Sequence, residues 1–393
     1  MREGWEEKRI KDIVLSMGSG TTPSSSTASF YNEGTIPWIN TGDLPDGPVL
    51  ENKQNITDYA LIKYPLLKRY PTNTLLIAMY GATIGKLGML TYPATVNQAC
   101  CSLQLSEKQI YNKYLFYYLL NEKQNIISHS VGATQPNISQ KIISFFPIIY
   151  PSLSEQIAIA DYLDKKTTQI AAQIKLLETK RDTYLRLKKS LINKAVTKGL
   201  NPDVELEESG IDWLGKKPKH WKVKRIKDIA TIKNGSDYKT IQADEGYPVI
   251  GSGGQFTYAT DYIYDGEAVL LGRKGTIDKP LYVNCKFWVV DTMFYLIANK
   301  NASTRYLFYT ALLIPYKAYS TSTALPSMTQ RDLNHHLFPV PPLSEQQEIA
   351  DYLDQQSRKI DDIVSNINLQ IGKLQTLRKS LINEVITGER SIV

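Results

Sequence analysis

Two short loops of this chain combine glycine, a basic residue and a hydroxyl group, which together are suited to holding a phosphate. The loops are GATIGKLG, Gly81 to Gly88, and GRKGTIDKP, Gly272 to Pro280. Glycine lets the backbone approach a phosphate closely, and lysine or arginine neutralises the phosphate charge. The candidate phosphate-binding residues are Thr83, Gly85 and Lys86 in the first loop, and Arg273, Lys274, Gly275, Thr276 and Lys279 in the second.

The same loops also fit a purely structural interpretation, as tight turns between strands in which glycine adopts a positive φ. The second loop carries Asp278 at the position that Gly85 occupies in the first. A carboxylate at that position repels phosphate, which favours the structural interpretation there. The sequence alone leaves both interpretations open.

Two polar segments have side chains suited to reading base edges. They are GATQPNISQK, Gly132 to Lys141, and STALPSMTQR, Ser322 to Arg331. Amide and guanidinium groups can make paired hydrogen bonds to adenine or guanine. The candidates for base contacts are Gln135, Asn137, Gln140, Gln330 and Arg331. Alternatively, both segments are loops that lead into helices, with Asn137 and Ser327 as helix caps.

Large parts of the chain occur twice, which indicates a tandem duplication. PSLSEQIAIADYLD at Pro151 to Asp164 returns as PPLSEQQEIADYLD at Pro341 to Asp354, and 341 minus 151 gives an offset of 190 residues. Upstream, WEEKRIKDI at Trp5 to Ile13 returns as WKVKRIKDI at Trp221 to Ile229, and 221 minus 5 gives an offset of 216. Such long offsets indicate one large module that was copied, not an array of small stacked repeats.

Each copy contains a long stretch with a seven-residue apolar repeat, which is typical of a helix that pairs with another helix. The first of these helices would extend for roughly 65 Å at ~1.5 Å per residue. Residues 151–200 contain ten basic and five acidic residues, whereas 341–393 contain six and eight, so attraction favours pairing. We predict antiparallel pairing of the two helices through Ile170, Ile174, Leu177, Tyr184, Leu191, Ile360, Val364, Ile367, Leu374 and Leu381. The alternative is that each helix packs only on its neighbouring globular domain.

The remaining segments mix strand and helix patterns. Thr74 to Gly81 and Thr95 to Leu105 are typical of strands, whereas Lys113 to Asn125 and Ser303 to Ile314 have amphipathic helical spacing. The predicted fold class is α+β, with two mixed α/β domains separated by two long antiparallel coiled-coil helices and related by a pseudo-twofold axis. The predicted divisions are a first domain at 1–150, a central helix at 151–199, a linker at 200–220, a second domain at 221–340 and a C-terminal helix at 341–393.

Composition places the 393-residue chain among soluble proteins, with 42% hydrophobic and 22% charged residues. No apolar run approaches the ~20 residues that span a bilayer, and the start lacks a secretory signal, so we predict a cytoplasmic protein. The cysteines, Cys100, Cys101 and Cys285, form no CxxC pair, and we expect them to be buried without a disulfide or zinc role. The net charge of +7 is spread along the chain and supports nucleic-acid binding only modestly.

Duplex DNA is the natural partner for two globular heads on a stiff pair of helices. Such a spacer can hold two heads one or two helical turns apart, at ~34 Å per turn. Because the heads differ in sequence, the two DNA half-sites should differ as well.

The chain resembles the specificity subunit of type I restriction-modification systems along essentially its whole length. The resemblance lies in the two LSEQ to IADYLD helix starts, the KSLIN helix ends, the segment TKGLNPDVELEESGIDWLGKKPKHW and the two glycine-containing loops. It implies two target-recognition domains that each read one half of a split, asymmetric DNA site, with the paired helices as a ruler. It also implies assembly with two methyltransferase subunits and with restriction and translocase subunits. S-adenosylmethionine, ATP and Mg are expected on those partners, and none on this chain.

The sequence lacks the motifs of a DNA-modifying enzyme, in agreement with a subunit that recognises DNA while its partners catalyse. The nearest match to an NPPY adenine-methylation tetrapeptide is NPDV, Asn201 to Val204, and neither GxxxxGK[ST] nor HExxH occurs. We therefore predict no catalytic residue, no metal site and no enzymatic activity for this subunit. The alternative is a self-sufficient nucleic-acid-modifying enzyme with a fused recognition region, but no segment remains to form its catalytic domain.

Overall fold

The computed structural model describes residues 4–105, 108–132, 136–319 and 326–392. These form two compact units, the first made of Met1–Leu176 with Gln370–Val393 and the second of Leu177–Leu369. Each unit therefore contains one globular domain, the first half of one long helix and the last half of the other. The duplication seen in the sequence thus corresponds to two units built on one plan.

The globular domain of the first unit is a mixed α/β fold with three sheets. The sheet orders are β2-β9-β6-β7-β4, β5-β3-β8 and β1-β10, and the pairs β4–β7 and β3–β8 are parallel. The strands are β1 Glu6–Arg9, β2 Val14–Ser19, β3 Ile36–Ile39, β4 Gly47–Val49, β5 Asn55–Ile56, β6 Leu75–Ala78, β7 Leu87–Leu90, β8 Thr95–Val96, β9 Cys100–Leu105 and β10 Pro147–Tyr150. The helices are α1 Asp58–Lys63, α2 Asn112–Asn121, α3 Lys123–Ser128 and α4 Gln140–Phe145, followed by the long α5 Leu153–Lys198.

Two predicted elements of this domain are divided in the structure. The helix predicted at Lys113 to Asn125 is interrupted at Glu122, whose φ of −80° and ψ of 4° end α2 before α3 begins. The strand predicted at Thr95 to Leu105 is split into β8 and β9 by a loop at Asn97. A buried side chain stabilises that loop, because Asn97 Oδ1 accepts hydrogen bonds from the backbone N–H groups of Ala99 and Cys100, both at 3.1 Å.

The second unit repeats the mixed fold with longer strands. Its main sheet has the order β14-β20-β18-β19-β16-β17-β15, and separate pairs are formed by β13 with β21 and β11 with β12. The strands are β11 Leu206–Glu208, β12 Lys216–Pro218, β13 Lys222–Arg225, β14 Ala230–Asn234, β15 Gln242–Ala243, β16 Tyr247–Gly251, β17 Gly254–Ala259, β18 Tyr264–Gly272, β19 Leu281–Val289, β20 Met293–Ala298 and β21 Leu337–Val340. The helices are α6 Ile226–Ile229, α7 Thr304–Ala311, α8 Tyr316–Tyr319, α9 Gln330–His335 and the long α10 Leu343–Ile386.

The two long helices pack against each other in opposite directions. In the first unit, Leu163 near the start of α5 shares a hydrophobic core with Leu381 and Val385 near the end of α10. In the second unit, Val196 near the end of α5 shares a core with Leu353 near the start of α10. The predicted fold class, two mixed α/β domains with two long antiparallel helices, is therefore confirmed.

The predicted seam residues all lie on the buried or half-buried face of these helices. They are Ile170, Ile174, Leu177, Tyr184, Leu191, Ile360, Val364, Ile367, Leu374 and Leu381. Leucines off this seam are largely exposed, with Leu176 at 70% and Leu369 at 58%. The seven-residue repeat thus separates the covered face of each helix from the face in solvent.

A buried glutamine near the start of each long helix anchors the adjoining globular domain. Gln156 accepts a hydrogen bond from the Tyr111 backbone N–H at 2.8 Å and donates to the carbonyls of Gln109 at 3.1 Å and Pro151 at 2.9 Å. Gln346, which is 1% exposed, makes the equivalent three bonds to Ser303 N–H and to the carbonyls of Asn301 and Pro341. This shared role explains why the glutamine of LSEQ occurs in both copies.

An aspartate about two turns further along makes a second anchor in each unit. The Asp164 carboxylate accepts a hydrogen bond from the Tyr117 hydroxyl at 2.8 Å and an ion pair from Lys113 at 2.5 Å. Asp354 accepts the equivalent bond from Tyr309 at 2.5 Å and pairs with Arg305. The repeated IADYLD sequence therefore fixes α2 and α7 to the long helices.

The segment predicted as a linker contains the short antiparallel β11–β12 hairpin. Its lysines pair with glutamates across the hairpin, Lys217 with Glu207 at 2.5 Å, Lys219 with Glu205 at 3.0 Å, and Lys216 with Glu208 at 3.8 Å. Lys217 is only 6% exposed and also donates to the Trp221 carbonyl at 2.7 Å. The basic cluster is therefore engaged within the hairpin, while the exact domain divisions stay a prediction.

The free energy of unfolding should depend on pH through the buried His336 of the second unit. The ring stacks on Trp213 with centroids 5.4 Å apart, and its Nδ1 lies 2.7 Å from the Tyr319 hydroxyl. Burial removes water from the charged imidazolium and lowers the pKa of His336 from 6.5 to about 4. In the unfolded chain the pKa is the higher one, so the stabilising contribution is complete above pH ~6.5 and is lost as the pH falls towards 4.

Acidification from pH 7 to pH 5 should therefore lower the free energy of unfolding through His336 by about 2 kcal/mol. Urea unfolding at the two pH values measures this difference in the parent and in His336→Phe, which should lose that part of the pH dependence. His335→Phe is the matched control, because the adjacent His335 is exposed. Equal pH dependence in the His336→Phe and His335→Phe variants would contradict the assignment.

The predictions from composition concern the burial of the three cysteines and membrane-spanning helices. Cys100 and Cys101 are buried as expected, but Cys285 is exposed, so its predicted burial is wrong. Cys285 lies opposite Gly266 in the β18–β19 ladder, next to the exposed pair Glu267 and Asn284. Across the part of the chain that the structure describes, no helix is both long and apolar enough to span a membrane.

Candidate nucleic-acid interface

Four segments of the first unit meet around the ends of β2 and β6. The residue after β2, Gly20, donates its backbone N–H to the Asn97 carbonyl at 3.3 Å, and Thr22 bonds through its hydroxyl to the Gln98 side chain. The segment before α4 joins the same cluster, because Ile138 N–H donates to the Met79 carbonyl at 2.7 Å. The loop after β6 and the segment before α4, which the sequence singled out separately, are thus neighbours.

The second unit builds the same arrangement from different residues. Gly235, which follows β14, donates its N–H to the Met293 carbonyl at 3.0 Å, and Arg273 N–H donates to the Thr292 carbonyl at 2.8 Å. The segment before α9 closes the cluster, since Met328 N–H donates to the Arg273 carbonyl at 3.0 Å. We call these two sets of segments loop cluster 1 (20–22, 79–86, 97–99 and 137–140) and loop cluster 2 (235–239, 273–279, 289–293 and 326–331).

Close backbone packing fixes the position of both clusters. A Cβ on Gly20 would lie 1.6 Å from the Val96 carbonyl oxygen, and one on Gly235 would lie 2.0 Å from the Val290 carbonyl oxygen. A tryptophan indole then donates to the following segment in each unit, Trp38 to the Thr21 carbonyl at 3.2 Å and Trp288 to the Ser236 carbonyl at 3.0 Å. The loops are therefore held by specific contacts at equivalent places.

The candidates of the first glycine-containing loop lie in a tight turn between β6 and β7. Gly85 is buried with a φ of 74°, and a Cβ there would lie 2.8 Å from Ile127. Thr83 and Lys86 are half-buried, and the Lys86 N–H donates to the Thr83 carbonyl at 3.0 Å. Gly85 thus has a role in forming the turn, while Lys86 provides the basic group of this loop.

The second loop presents more of its side chains to solvent. Lys274, Thr276 and Lys279 are exposed, and Gly275 has a φ of 81° with its N–H bonded to the Pro326 carbonyl at 2.9 Å. Arg273 is half-buried, with its guanidinium 5.8 Å from the Phe294 ring centroid. Asp278 is exposed as well, so the loop carries charge of both signs.

Among the polar candidates before α4 and α9, the glutamines make specific contacts within the protein. Gln140 donates through Nε2 to the Ser19 hydroxyl at 3.0 Å, and Gln330 donates to the Ile232 carbonyl at 2.8 Å. Both bonds tie the short helix to the first strand of its sheet. Asn137 and Arg331 are exposed, and Gln135 lies outside the described residues.

The helix caps differ from the residues that the sequence suggested. Ser139 accepts a hydrogen bond from the Ile142 N–H at 3.2 Å, and Thr329 accepts one from the Asp332 N–H at 3.1 Å. Asn137 and Ser327, two residues earlier, instead form β-bridges to Tyr80 and Lys274. The capping alternative for Asn137 and Ser327 is therefore wrong, because their backbones pair with the glycine-containing loops.

Sequence reasoning missed several residues of the two clusters. Gln98 was hidden inside a run interpreted as one strand, because no glycine or proline interrupts it. Tyr238 and Thr292 have no local signal and come into the cluster only through the sheet. Thr22 belongs to the hydroxyl-rich stretch GSGTTPSSST, Gly18 to Thr27, which composition alone does reveal.

Loop cluster 2 carries more basic than acidic side chains. The exposed basic residues are Lys239, Lys274, Lys279 and Arg331, and the exposed acidic residues are Asp237, Asp278 and Asp291. In loop cluster 1, burial raises the pKa of the Tyr80 phenol above 10.0, so this group stays a neutral hydroxyl at pH 7. Cations can neutralise phosphate, and carboxylates can accept a hydrogen bond from the cytosine amino group. The described residues contain no group of three or more His, Cys, Asp or Glu side chains placed to hold a metal ion.

Curated relatives with similar sequences are specificity subunits. One is the type I restriction enzyme MjaIX specificity subunit of Methanocaldococcus jannaschii, 26% identical over 417 residues, covering 98% of this chain and 93% of the relative. Another is the type I restriction enzyme EcoprrI specificity subunit of Escherichia coli, 23% identical over 372 residues, covering 90% of this chain and 87% of the relative.

Solved structures share the fold at low sequence identity. A chain from work on complex assembly and conformational transition of the type I R-M system matches with a TM-score of 0.74, 14% identity and 98% coverage of both chains. The HsdS subunit of Thermoanaerobacter tengcongensis matches with a TM-score of 0.52 and 14% identity over 99% of this chain and 98% of that one. These similarities establish the fold alone.

The strongest evidence for the family is a match to its sequence model. The model for the type I restriction modification DNA specificity domain matches twice, over residues 2–179 and 218–373. Each match contains one globular domain and the start of the long helix that follows it. The chain therefore belongs to the type I restriction modification DNA specificity family.

Proposed function

We propose that this chain is the DNA-recognition subunit of a type I restriction-modification complex and that each loop cluster reads one half of a split, asymmetric target. The observation that carries the proposal is the repetition of one loop arrangement with different side chains. Loop cluster 1 presents Asn137, whereas the equivalent residue of loop cluster 2 is Ser327. Equal scaffolds with unlike side chains select unlike base sequences.

The candidate residues divide between positioning and contact in this proposal. Lys86, Lys274, Lys279 and Arg331 neutralise phosphates or reach base edges, while Gly85 and Gly275 shape the turns that carry them. Gln140 and Gln330 hold their helices to the first strands. Base contacts then fall to exposed groups such as Asn137 and Thr276.

The paired helices act in the proposal as a spacer between the half-targets. α5 has 46 residues and α10 has 44, and both are continuous. At ~1.5 Å per residue, a helix of this size is long enough to match one to two turns of DNA at ~34 Å per turn. Stiffness comes from the apolar seam along their length.

Catalysis in the proposed complex belongs to partner subunits. Two methyltransferase subunits would carry S-adenosylmethionine, and restriction and translocase subunits would use ATP and Mg. The exposed apolar residues off the seam, Leu176, Leu185 and Leu187, provide surface for such partners. The alternative, a self-sufficient modifying enzyme, has no support from the family to which the chain belongs.

Exchange of residues 1–150 for those of another family member should change one half of the methylated motif and leave the other half intact. Mapping of methylated adenine in the host genome gives the motif before and after the exchange. The donor domain should retain a tyrosine and a base that pair with Asp164, so that the anchor to α5 survives. Alteration of both half-motifs, or of neither, would refute the assignment of one half-target to each unit.

Insertion of seven residues after Leu176 in α5 and after Leu369 in α10 should widen the gap between half-motifs by about three base pairs. Seven residues preserve the seam repeat and add ~10 Å of helix. The same insertion in α5 alone is the control, because the two paired helices then differ in length by ~10 Å, which should abolish binding. An unchanged gap after the paired insertion would argue against the spacer role.

A further inference from the structure

An aromatic pair joins loop cluster 2, through its half-buried Tyr238, to the exposed Phe256. Phe256 on β17 is 55% exposed, and its ring packs edge-on against Tyr238, with centroids 5.3 Å apart and planes at 85°. Tyr258, two residues along the same strand, is 39% exposed. Grouped aromatic surface in solvent is typical of a contact site rather than of chance exposure.

Short contacts connect this pair to the segments proposed to touch DNA. Tyr238 lies two residues after Ser236, whose N–H donates to the Val289 carbonyl at 2.9 Å. Val289 is the last residue of β19, and the loop that follows it contains Thr292, whose carbonyl accepts the Arg273 N–H at 2.8 Å. The segment that carries Tyr238 and the loop that carries Arg273 are therefore bonded to the end of β19 and to the residues between β19 and β20.

Phe256 lies at an irregularity of its strand. β17 pairs with β15 only at Ala259 and Tyr258, and its register with β16 shifts from Val249–Thr257 to Ile250–Gln255, so Phe256 is skipped in that ladder. A Cβ on Gly251 would lie 3.4 Å from the Phe256 ring, so the ring rests directly on the backbone of β16. Phe256 is thus the residue at a β-bulge, with its ring resting on β16 and largely open to solvent.

Charge around the pair favours a nucleic acid as the occupant. Lys239 is exposed next to Tyr238, and Lys274 is exposed on the adjoining loop. The nearby Asp237 already accepts a hydrogen bond from the Lys239 backbone N–H at 3.0 Å. Cations flanking exposed aromatic rings suit a ligand with phosphates around stacked bases.

We propose that Phe256, supported by Tyr238, contacts the bases of the half-target read by the second unit and partly unstacks one base step. Apolar side chains inserted beside bases unstack them at a cost that is offset by the extra contact surface. The inference rests on the proposed function, because it assumes that loop cluster 2 faces DNA. It adds ring stacking on DNA to the contacts made by the basic and amide side chains of loop cluster 2.

Phe256→Ala in the full chain, assembled with its methyltransferase subunits, should weaken binding to a duplex that carries the motif methylated in the host by about tenfold. The slope of log affinity against log salt should stay unchanged, because no charge is removed. Lys274→Gln should instead reduce that slope by ~1. Leu312→Ala, another exposed apolar residue of this unit at 36%, is the matched control and should bind as the parent does.

A second measurement detects base unstacking directly, first with the parent protein and then with the variant. 2-Aminopurine placed at successive positions of the second half-motif should brighten at one step upon binding, and this signal should vanish in Phe256→Ala. Equal affinity of Phe256→Ala and the parent, or brightening at no position, would overturn the inference. Failure of the parent to prefer its motif over random duplex would instead refute the proposed function, so the two failures are distinguishable.

Discussion

Replacement of Gln346 with leucine is expected to lower the free energy of unfolding by about 3–5 kcal/mol. The amide is 1% exposed and bonds to the Ser303 N–H at 2.9 Å and to two backbone carbonyls. Leucine has a similar size but removes the partner of the buried Pro341 carbonyl and of two partly buried backbone groups, and each unpaired group costs about 1–3 kcal/mol, with the largest cost for the buried one. The loss should be concentrated where α7 meets α10.

The adjacent residue provides the control for this substitution. Gln347 lies on the exposed side of the same helical turn, so Gln347→Leu should change stability by less than about 0.5 kcal/mol. Urea unfolding compares the two variants, and hydrogen exchange of α7 amides locates the effect. Equal stability of the two leucine variants would show that Gln346 is not an anchor.

Substitution of Gly235 with alanine is expected to reduce affinity for the methylated motif by about a hundredfold or more. The new Cβ would lie 2.0 Å from the Val290 carbonyl oxygen and 2.6 Å from the Val289 carbonyl oxygen, so the segment after β14 must move. Loss of one half-target removes much of the discrimination that separates specific from nonspecific binding, which spans about 10³ to 10⁷ in such proteins. Gly20→Ala should have the same effect on the other half-target.

Both units offer a matched control for the glycine substitutions. A Cβ at Gly253 or at Gly42 would meet no atom within 4 Å, so alanine is tolerated there. Affinity for the methylated motif and for random duplex is measured for all four variants. The proposal predicts that Gly235→Ala and Gly20→Ala approach the affinity for random DNA, while Gly253→Ala and Gly42→Ala keep the parental preference. Parental binding by all four variants would contradict the role of the loop clusters.

The parts of the fold that could be predicted from sequence are those with a long periodic signal. A seven-residue apolar repeat is unaffected by context over forty residues, so the α5 and α10 pairing was predictable from Ile170, Leu381 and their neighbours. The duplicated motif marked the module, and the structure adds the reason: Gln156 and Asp164 join helix to domain. Short local patterns were less informative, as the division of the predicted helix at Glu122 shows.

The sequence predicts only in part which loops and segments lie next to each other in the candidate site. Glycine-containing loops and polar segments were recognisable by residue type, but their proximity depends on sheet order, which no local pattern encodes. Asn137 looked like a helix cap because its residue type is common there, yet its backbone bridges to Tyr80. Phe256 had no distinguishing signal in the sequence, because an aromatic residue in a strand is ordinarily buried.

The sharing of both long helices between units sets the order in which the chain can fold as it leaves the ribosome. The second unit is one continuous stretch, Leu177–Leu369, and is complete as soon as that stretch has emerged. The first unit begins earlier but buries Trp5 in the same core as Val385 and Ile386, which are synthesised after the whole of the second unit. The hydrophobic surface of the first unit therefore stays uncovered until the second unit has emerged, and the first unit is the one completed second.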